Sequence, residues 1–139
     1  MFISLLIVDD EEKFVSYLSK RLIKRDLNVH TALNGEEALR AIKEKPLDIV
    51  ILDVVMPGID GIETLKRIKN LSPLVEVIML TGKATVETAV EGMKLGAFHY
   101  LMKPVEIEDL LAKVKEAYKR KKEQEERIRG AELKEILPK

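Results

Sequence analysis

The sequence predicts an α/β fold: an open parallel sheet with helices on both faces. Three observations predict it. Apolar runs of strand length alternate five times with segments of helical period. Several runs are apolar almost throughout, as expected of strands covered on both faces. The connections between them are short, which suits repeated βα units.

The first run, FISLLIV (2–8), is a strand. Phe14, Leu18 and Leu22, with Val15 beside them, then recur at helical spacing. NVHTA (28–32) is a second, more polar strand. Asn34 has the chemistry of a helix N-cap, with Glu37 three residues on, and Ala38, Leu39, Ala41 and Ile42 form that helix's apolar stripe. Pro46 lies just past its end. DIVIL (48–52) is the third strand, and Asp60 with Glu63 opens a helix carrying Ile62, Leu65 and Ile68. VEVIML (75–80) is the fourth strand, followed by a helix through Val86, Ala89, Val90 and Met93 that ends at Gly96. FHYLM (98–102) is the fifth. After Pro104 the last helix carries Ile107, Leu110, Leu111, Val114 and Tyr118. From Lys119 the composition turns strongly charged, so residues 1–118 are read as one domain and 119–139 as a charged helical extension that frays beyond Gly130. Its KRKK segment (119–122) is expected to be a solvated helix face.

Composition narrows the function. Of 139 residues, 46% are hydrophobic, enough for a core. Lys plus Arg (24) equal Asp plus Glu (24), so no global field draws the chain to nucleic acid or anionic lipid. Without cysteine there are no disulfides and no thiolate metal sites. The N-terminal apolar run has no basic residue before it and acids directly after it, the pattern of a strand and not of a signal peptide. No apolar stretch approaches the roughly 20 residues that span a bilayer. A cytoplasmic chain without membrane contact is expected.

In open parallel sheets, ligands bind outside the carboxyl ends of the strands. Asp9 and Asp10 follow the first strand, Asp53 the third, Thr81 the fourth, and Lys103 lies near the end of the fifth. Three carboxylates gathered at one edge repel strongly: two charges about 4 Å apart cost roughly 4 kcal/mol at an effective dielectric near 20. Either one takes a proton or a cation sits among them. A hard divalent ion such as Mg²⁺ suits such oxygen ligands. The Thr81 hydroxyl and the Lys103 ammonium suit a phosphoryl group. Each residue alone has an ordinary structural role as a turn former, cap or solvated charge. Their joint occurrence at independently predicted strand tips favours a site.

LLIVDDE, VILDVVMPGIDG, VIMLTG and GAFHYLMKP, in that order, resemble the receiver domain of two-component response regulators over about residues 2–118. The resemblance implies a flavodoxin-like three-layer sandwich with a five-stranded parallel sheet in the order 2-1-3-4-5. It implies a phosphorylation-dependent switch in which Asp53 accepts a phosphoryl group from a sensor histidine kinase or phosphotransfer protein. Asp10, Asp53 and the main-chain carbonyl of Val55 would hold Mg²⁺, with Asp9 acting through a bound water. Lys103 would contact the phosphoryl group, Thr81 and Tyr100 would form the switch pair, and the Lys103–Pro104 bond would be cis. The positions that tune dephosphorylation in this family are Val55 and Lys83 here. Neither is suited to orienting water, which points to a phosphorylated state that is not unusually short-lived. The Pro57–Gly58 turn would lift the following loop clear, letting the Val55 carbonyl face the ion.

An Mg²⁺-dependent phosphatase of the haloacid-dehalogenase type would want a second acid where Val55 stands, and a P-loop nucleotidase would want its glycine loop. Enzymatic action on a separate substrate is therefore not expected, only self-catalysed phosphotransfer and slow autodephosphorylation. The output stays open between a stand-alone receiver and the N-terminal receiver of a longer DNA-binding transcription regulator, with a homodimer or a downstream effector as partner. No DNA-binding module fits after residue 118, so no direct nucleic-acid contact is expected. His30 and His99 lack a nearby histidine or cysteine and are not expected to bind metal.

Overall fold

The computed structural model describes residues 2–56, 60–82 and 85–136. In chain order it contains β1 (Ser4–Val8), α1 (Glu12–Ile23), β2 (Asn28–Ala32), α2 (Gly35–Glu44), β3 (Ile49–Leu52), α3 (Gly61–Leu71), β4 (Glu76–Thr81), α4 (Val86–Lys94), β5 (His99–Met102) and α5 (Ile107–Ile136). The strands form one parallel sheet in the order β2-β1-β3-β4-β5. Register is continuous across it, with Val8 level with Leu52 and with Ala32, and Leu52 level with Met79. The strand order reverses at β1, so the crevice for a ligand lies between the ends of β1 and β3.

Alternation of side chains along each strand builds two cores. On one face Leu6, Val8, Val50, Leu52, Val77 and Met79 meet Ala38 and Ile42 of α2 and Leu65 and Ile68 of α3. On the other, Leu5, Ile7, Ile49, Ile51, Ile78 and Leu80 meet Val15, Leu18 and Leu22 of α1 and Leu110, Leu111, Val114 and Ala117 of α5. Because both faces of β1, β3 and β4 are covered, those strands needed continuous apolar runs. Caps set the helix starts where the sequence marks them. Asn34 accepts from the Glu37 N–H at 2.9 Å, and Asp60 from the Glu63 N–H at 2.8 Å. Gly96, with φ of +103°, closes α4: its N–H reaches the Met93 carbonyl, and the Ala97 N–H reaches that of Gly92.

The row Val86, Val90 and Met93 lies on a helix, as its spacing predicts, and faces outward at 81%, 46% and 47% exposure. Gly92 is the residue α4 turns inward, over Met79. Two expectations for the tail are corrected. First, α5 runs unbroken through Gly130 to Ile136 instead of fraying there. Its KRKK segment is not uniformly solvated. Lys121 is only 8% exposed and pairs with Asp48 at 3.0 Å and Glu125 at 3.3 Å. Arg120 reaches buried Glu76 at 3.1 Å. Asp48 and Glu76 sit at the amino edge of the sheet, so these pairs fasten α5 to the end opposite Asp9 and Asp53.

Candidate functional site

Asp9, Asp53 and Lys103, each just past the end of β1, β3 or β5, are held by one further main-chain bond beyond the strand. The Asp9 N–H donates to the Ala32 carbonyl at 3.1 Å, the Asp53 N–H to Val8 at 2.9 Å, and the Lys103 N–H to Thr81 at 2.9 Å. β1 and β3 are buried in the core, and the ladder extends one residue past the ends of β1, β3 and β5. The carboxylates are also tied locally. Asp9 Oδ1 accepts from the Glu11 N–H at 3.0 Å, and Asp53 Oδ1 accepts from the Val55 N–H at 3.2 Å.

The sheet brings one oxygen each of Asp9, Asp10 and Asp53 within 4.8 Å of one another. Asp9 and Asp53 are buried and Asp10 is exposed. Lys103 answers part of this charge. Its Nζ donates to Asp9 Oδ2 at 2.6 Å and to Glu11 Oε1 at 3.3 Å, and lies 3.8 Å from Asp53 Oδ2. Burial pushes the Asp9 carboxyl above its ordinary range, against the lowering effects of Lys103 and the Glu11 N–H, and the Asp53 charge adds to the rise. Burial draws the Lys103 ammonium down, but Asp9, then Asp53 and Glu11, outweigh it and leave it above its ordinary value. Lys103 thus pairs with three carboxylates, Asp9, Glu11 and Asp53, while Asp10 crowds Asp9 and Asp53. Hard oxygen donors, crowded and short of positive charge, fit a small divalent cation.

Asp10, Glu11, Asp53, Val55, Thr81 and Gly82 line a cleft of about 290 Å³ over this cluster. Thr81 is buried at the end of β4, and exposed Val55 stands at the mouth. Tyr100 lies further off: its ring packs against the core under α4, and its hydroxyl is 3.0 Å from Thr88 Oγ1. The Lys103–Pro104 bond is cis. Lys83 and the Pro57–Gly58 turn lie outside the described residues. A larger groove, about 430 Å³, runs over the outer face of α1 among Lys13, Lys20, Arg21 and Lys24, but brings no carboxylates together.

Sequence reasoning missed two residues of the site. Glu11 shares Lys103 with Asp9, and the Phe14 ring lies under the Lys103 ammonium, 4.1 Å from Nζ to its centroid. Glu11 was visible as the next acid in the DDEE run. Phe14, three residues later in the first turn of α1, reads as ordinary core because it continues the Leu18–Leu22 stripe.

The chain matches the family model described as response regulator receiver domain over residues 5–115. It is 41% identical over 115 residues to the transcriptional regulatory protein ZraR of Escherichia coli strain K12, covering 83% of this chain and 26% of the relative. The chain thus spans about a quarter of the length of that curated relative. Among solved structures, a CheY-like receiver domain protein from Methanospirillum hungatei superposes with a TM-score of 0.86 at 31% identity, covering 89% of this chain and 99% of the other. A response regulator from Burkholderia pseudomallei, solved with a phosphorylated aspartic acid, a calcium ion and citrate, gives 0.78 at 30% identity, covering 88% and 72%.

Proposed function

This chain belongs to the response regulator receiver family, and from that premise we propose that its signalling switch is worked by phosphorylation of Asp53. The observation that carries the assignment is the position of Asp53: buried at the tip of a central strand, within 4.8 Å of two further carboxylates and 3.8 Å from Lys103. The Burkholderia relative, solved with a phosphorylated aspartic acid and a calcium ion, supports it.

Receiver domains bind Mg²⁺ at an acidic pocket. Here Asp10, Asp53 and the Val55 carbonyl would hold it, with Asp9 acting through water. When bound, the ion neutralises charge on the transferring group. A carboxylate oxygen of Asp53 attacks phosphorus, the phosphorus–nitrogen bond of a phosphohistidine breaks, and an acyl phosphate forms as the imidazole leaves with a proton. The donor is a sensor kinase or a phosphotransfer protein. The Lys103 ammonium moves from Asp9 towards the phosphoryl oxygens, and the Thr81 hydroxyl turns to one of them. Tyr100 then turns inward, and the face of α4, β5 and α5 shifts population. The chemistry is self-catalysed and single-turnover, in the cytoplasm. Similarity to a transcriptional regulatory protein and the length of α5 support an output in transcription, coupled through that helix.

Incubation with Mg²⁺ and acetyl phosphate, followed by intact mass, tests this. Wild type gains one phosphoryl group, whereas Asp53→Asn and Asp53→Ala gain none. With Val55 at the mouth of the pocket, the label should persist well beyond seconds after the donor is removed. Equal labelling of the mutants would refute the acceptor assignment.

A further inference from the structure

We propose that Phe14 is a positioning residue of the phosphoryl-transfer site, its ring face holding the Lys103 ammonium between Asp9 and Asp53. The proposal rests on Asp53 being the acceptor and adds to that assignment a group that steers its cationic partner.

The geometry is that of a cation over an aromatic face. Nζ lies 4.1 Å from the ring centroid, inside the roughly 6 Å at which the ring quadrupole attracts a cation. The Lys103 side chain is 14% exposed, so the attraction acts with water largely excluded. The ring is not free to drift. Phe14 sits in the first turn of α1, whose Val15, Leu18 and Leu22 are buried, and packs against the core shared by α1 and α5.

The neighbours of the ammonium pull in different directions. Asp9 at 2.6 Å and Glu11 at 3.3 Å draw it away from Asp53, which at 3.8 Å lies beyond hydrogen-bond length. A move towards phosphoryl oxygens on Asp53 must stretch those bonds. The ring attracts the ammonium without a directional hydrogen bond, so it stabilises the cation before and after that move. It also adds no negative charge to a site already crowded with carboxylates. An aliphatic side chain at position 14 could fill the space but could not hold the charge.

Labelling rates with acetyl phosphate and saturating Mg²⁺, alongside the NMR shifts of the Lys103 Hε protons, test the proposal in the full chain. In wild type the ring current should shift the Hε signals upfield, and Phe14→Leu should abolish that shift and slow labelling about fivefold. Phe14→Tyr should restore both. Phe14→Met, which fills similar space without a ring, stands in if the leucine variant folds poorly. In a Lys103→Met background, Phe14→Leu should add no further slowing, because it acts through the lysine. Equal slowing in both backgrounds, or no loss of shift in Phe14→Leu, would overturn the proposal. Failure of wild type to label would instead sink the acceptor assignment and the rate claim with it, and the Hε shift would still decide whether Phe14 holds Lys103.

Discussion

At Gly61 there is no room for a side chain. A Cβ there would lie 2.3 Å from the main-chain oxygen of Asp53 and 2.4 Å from Val54 Cα. The first residue of α3 is pressed against the backbone that carries Asp53, and its N–H donates to the Val54 carbonyl at 2.8 Å. Backbone cannot rotate aside as a side chain can, so Gly61→Ala must displace either the start of α3 or Asp53 itself. The expected cost is about 2–3 kcal/mol of stability in urea denaturation, with slower labelling by acetyl phosphate. Gly130→Ala is the contrast. Nothing lies within 4 Å of a Cβ there, the site is helical, and alanine should strengthen that helix by up to about 1 kcal/mol. Asp53 was legible in the sequence because an ionisable group ended a buried apolar run. Gly61 was not, because its constraint is a contact between two stretches of main chain that only the folded loop brings together.

Among the elements, α5 adds to its core packing an ionic fastening at the amino edge of the sheet. Lys121 bridges Asp48 and Glu125, and Asp48 Oδ2 also accepts the Ser4 N–H at 2.9 Å. The lysine and aspartate side chains are 10% and 16% exposed, so removing one partner leaves the other short of water. Lys121→Met should cost about 2 kcal/mol, and Lys121→Met with Asp48→Asn less than the sum of the singles. Lys134→Gln, on the exposed part of α5, should stay within about 0.5 kcal/mol. Burial raises the Glu125 carboxyl, but Lys121 and Lys122 outweigh it and hold it below its ordinary range. A lowered folded value means this contribution is present above the ordinary glutamate range and is lost as pH falls through the lowered value. Hydrogen-exchange protection of residues 122–136 should therefore drop in acid, and Glu125→Gln should flatten that dependence. No pattern in KRKK announced this, because the burial of Lys121 is set by Asp48 at the start of another strand. The strands and helices themselves were legible from period and caps. Periodicity identified α4 as a helix but could not tell which face the sheet would cover, and Gly92, not the apolar row, faces Met79.

Across the whole molecule, α4 is the helix that buries the fewest residues. Gly92 is its one buried residue, and Val86, Val90 and Met93 face outward, so little apolar area opposes a change of its position. Its start is tied instead by polar bonds: Thr85 caps the Thr88 N–H at 3.1 Å, and Thr88 Oγ1 meets the Tyr100 hydroxyl at 3.0 Å. One bond thus links β5 to the cap of α4, a short way along the chain from Thr81 in the cleft. If phosphorylation turns Tyr100 inward, that bond belongs to the unphosphorylated state, and its removal biases the chain towards the other state. A neutral hydrogen bond contributes about 0.5–1.5 kcal/mol, so Tyr100→Phe should shift that equilibrium roughly two- to tenfold. Linkage makes the effect reciprocal. Tyr100→Phe should bind Mg²⁺ with beryllofluoride, a phosphoryl mimic, two- to tenfold more tightly by titration calorimetry. The amides of Val86–Lys94 should exchange faster in the unliganded variant, while those of α2 on the far side of the sheet stay unchanged. Weaker binding by Tyr100→Phe would mean that the hydroxyl serves the activated state, and the direction of the switch at β5 would be the reverse of the one proposed.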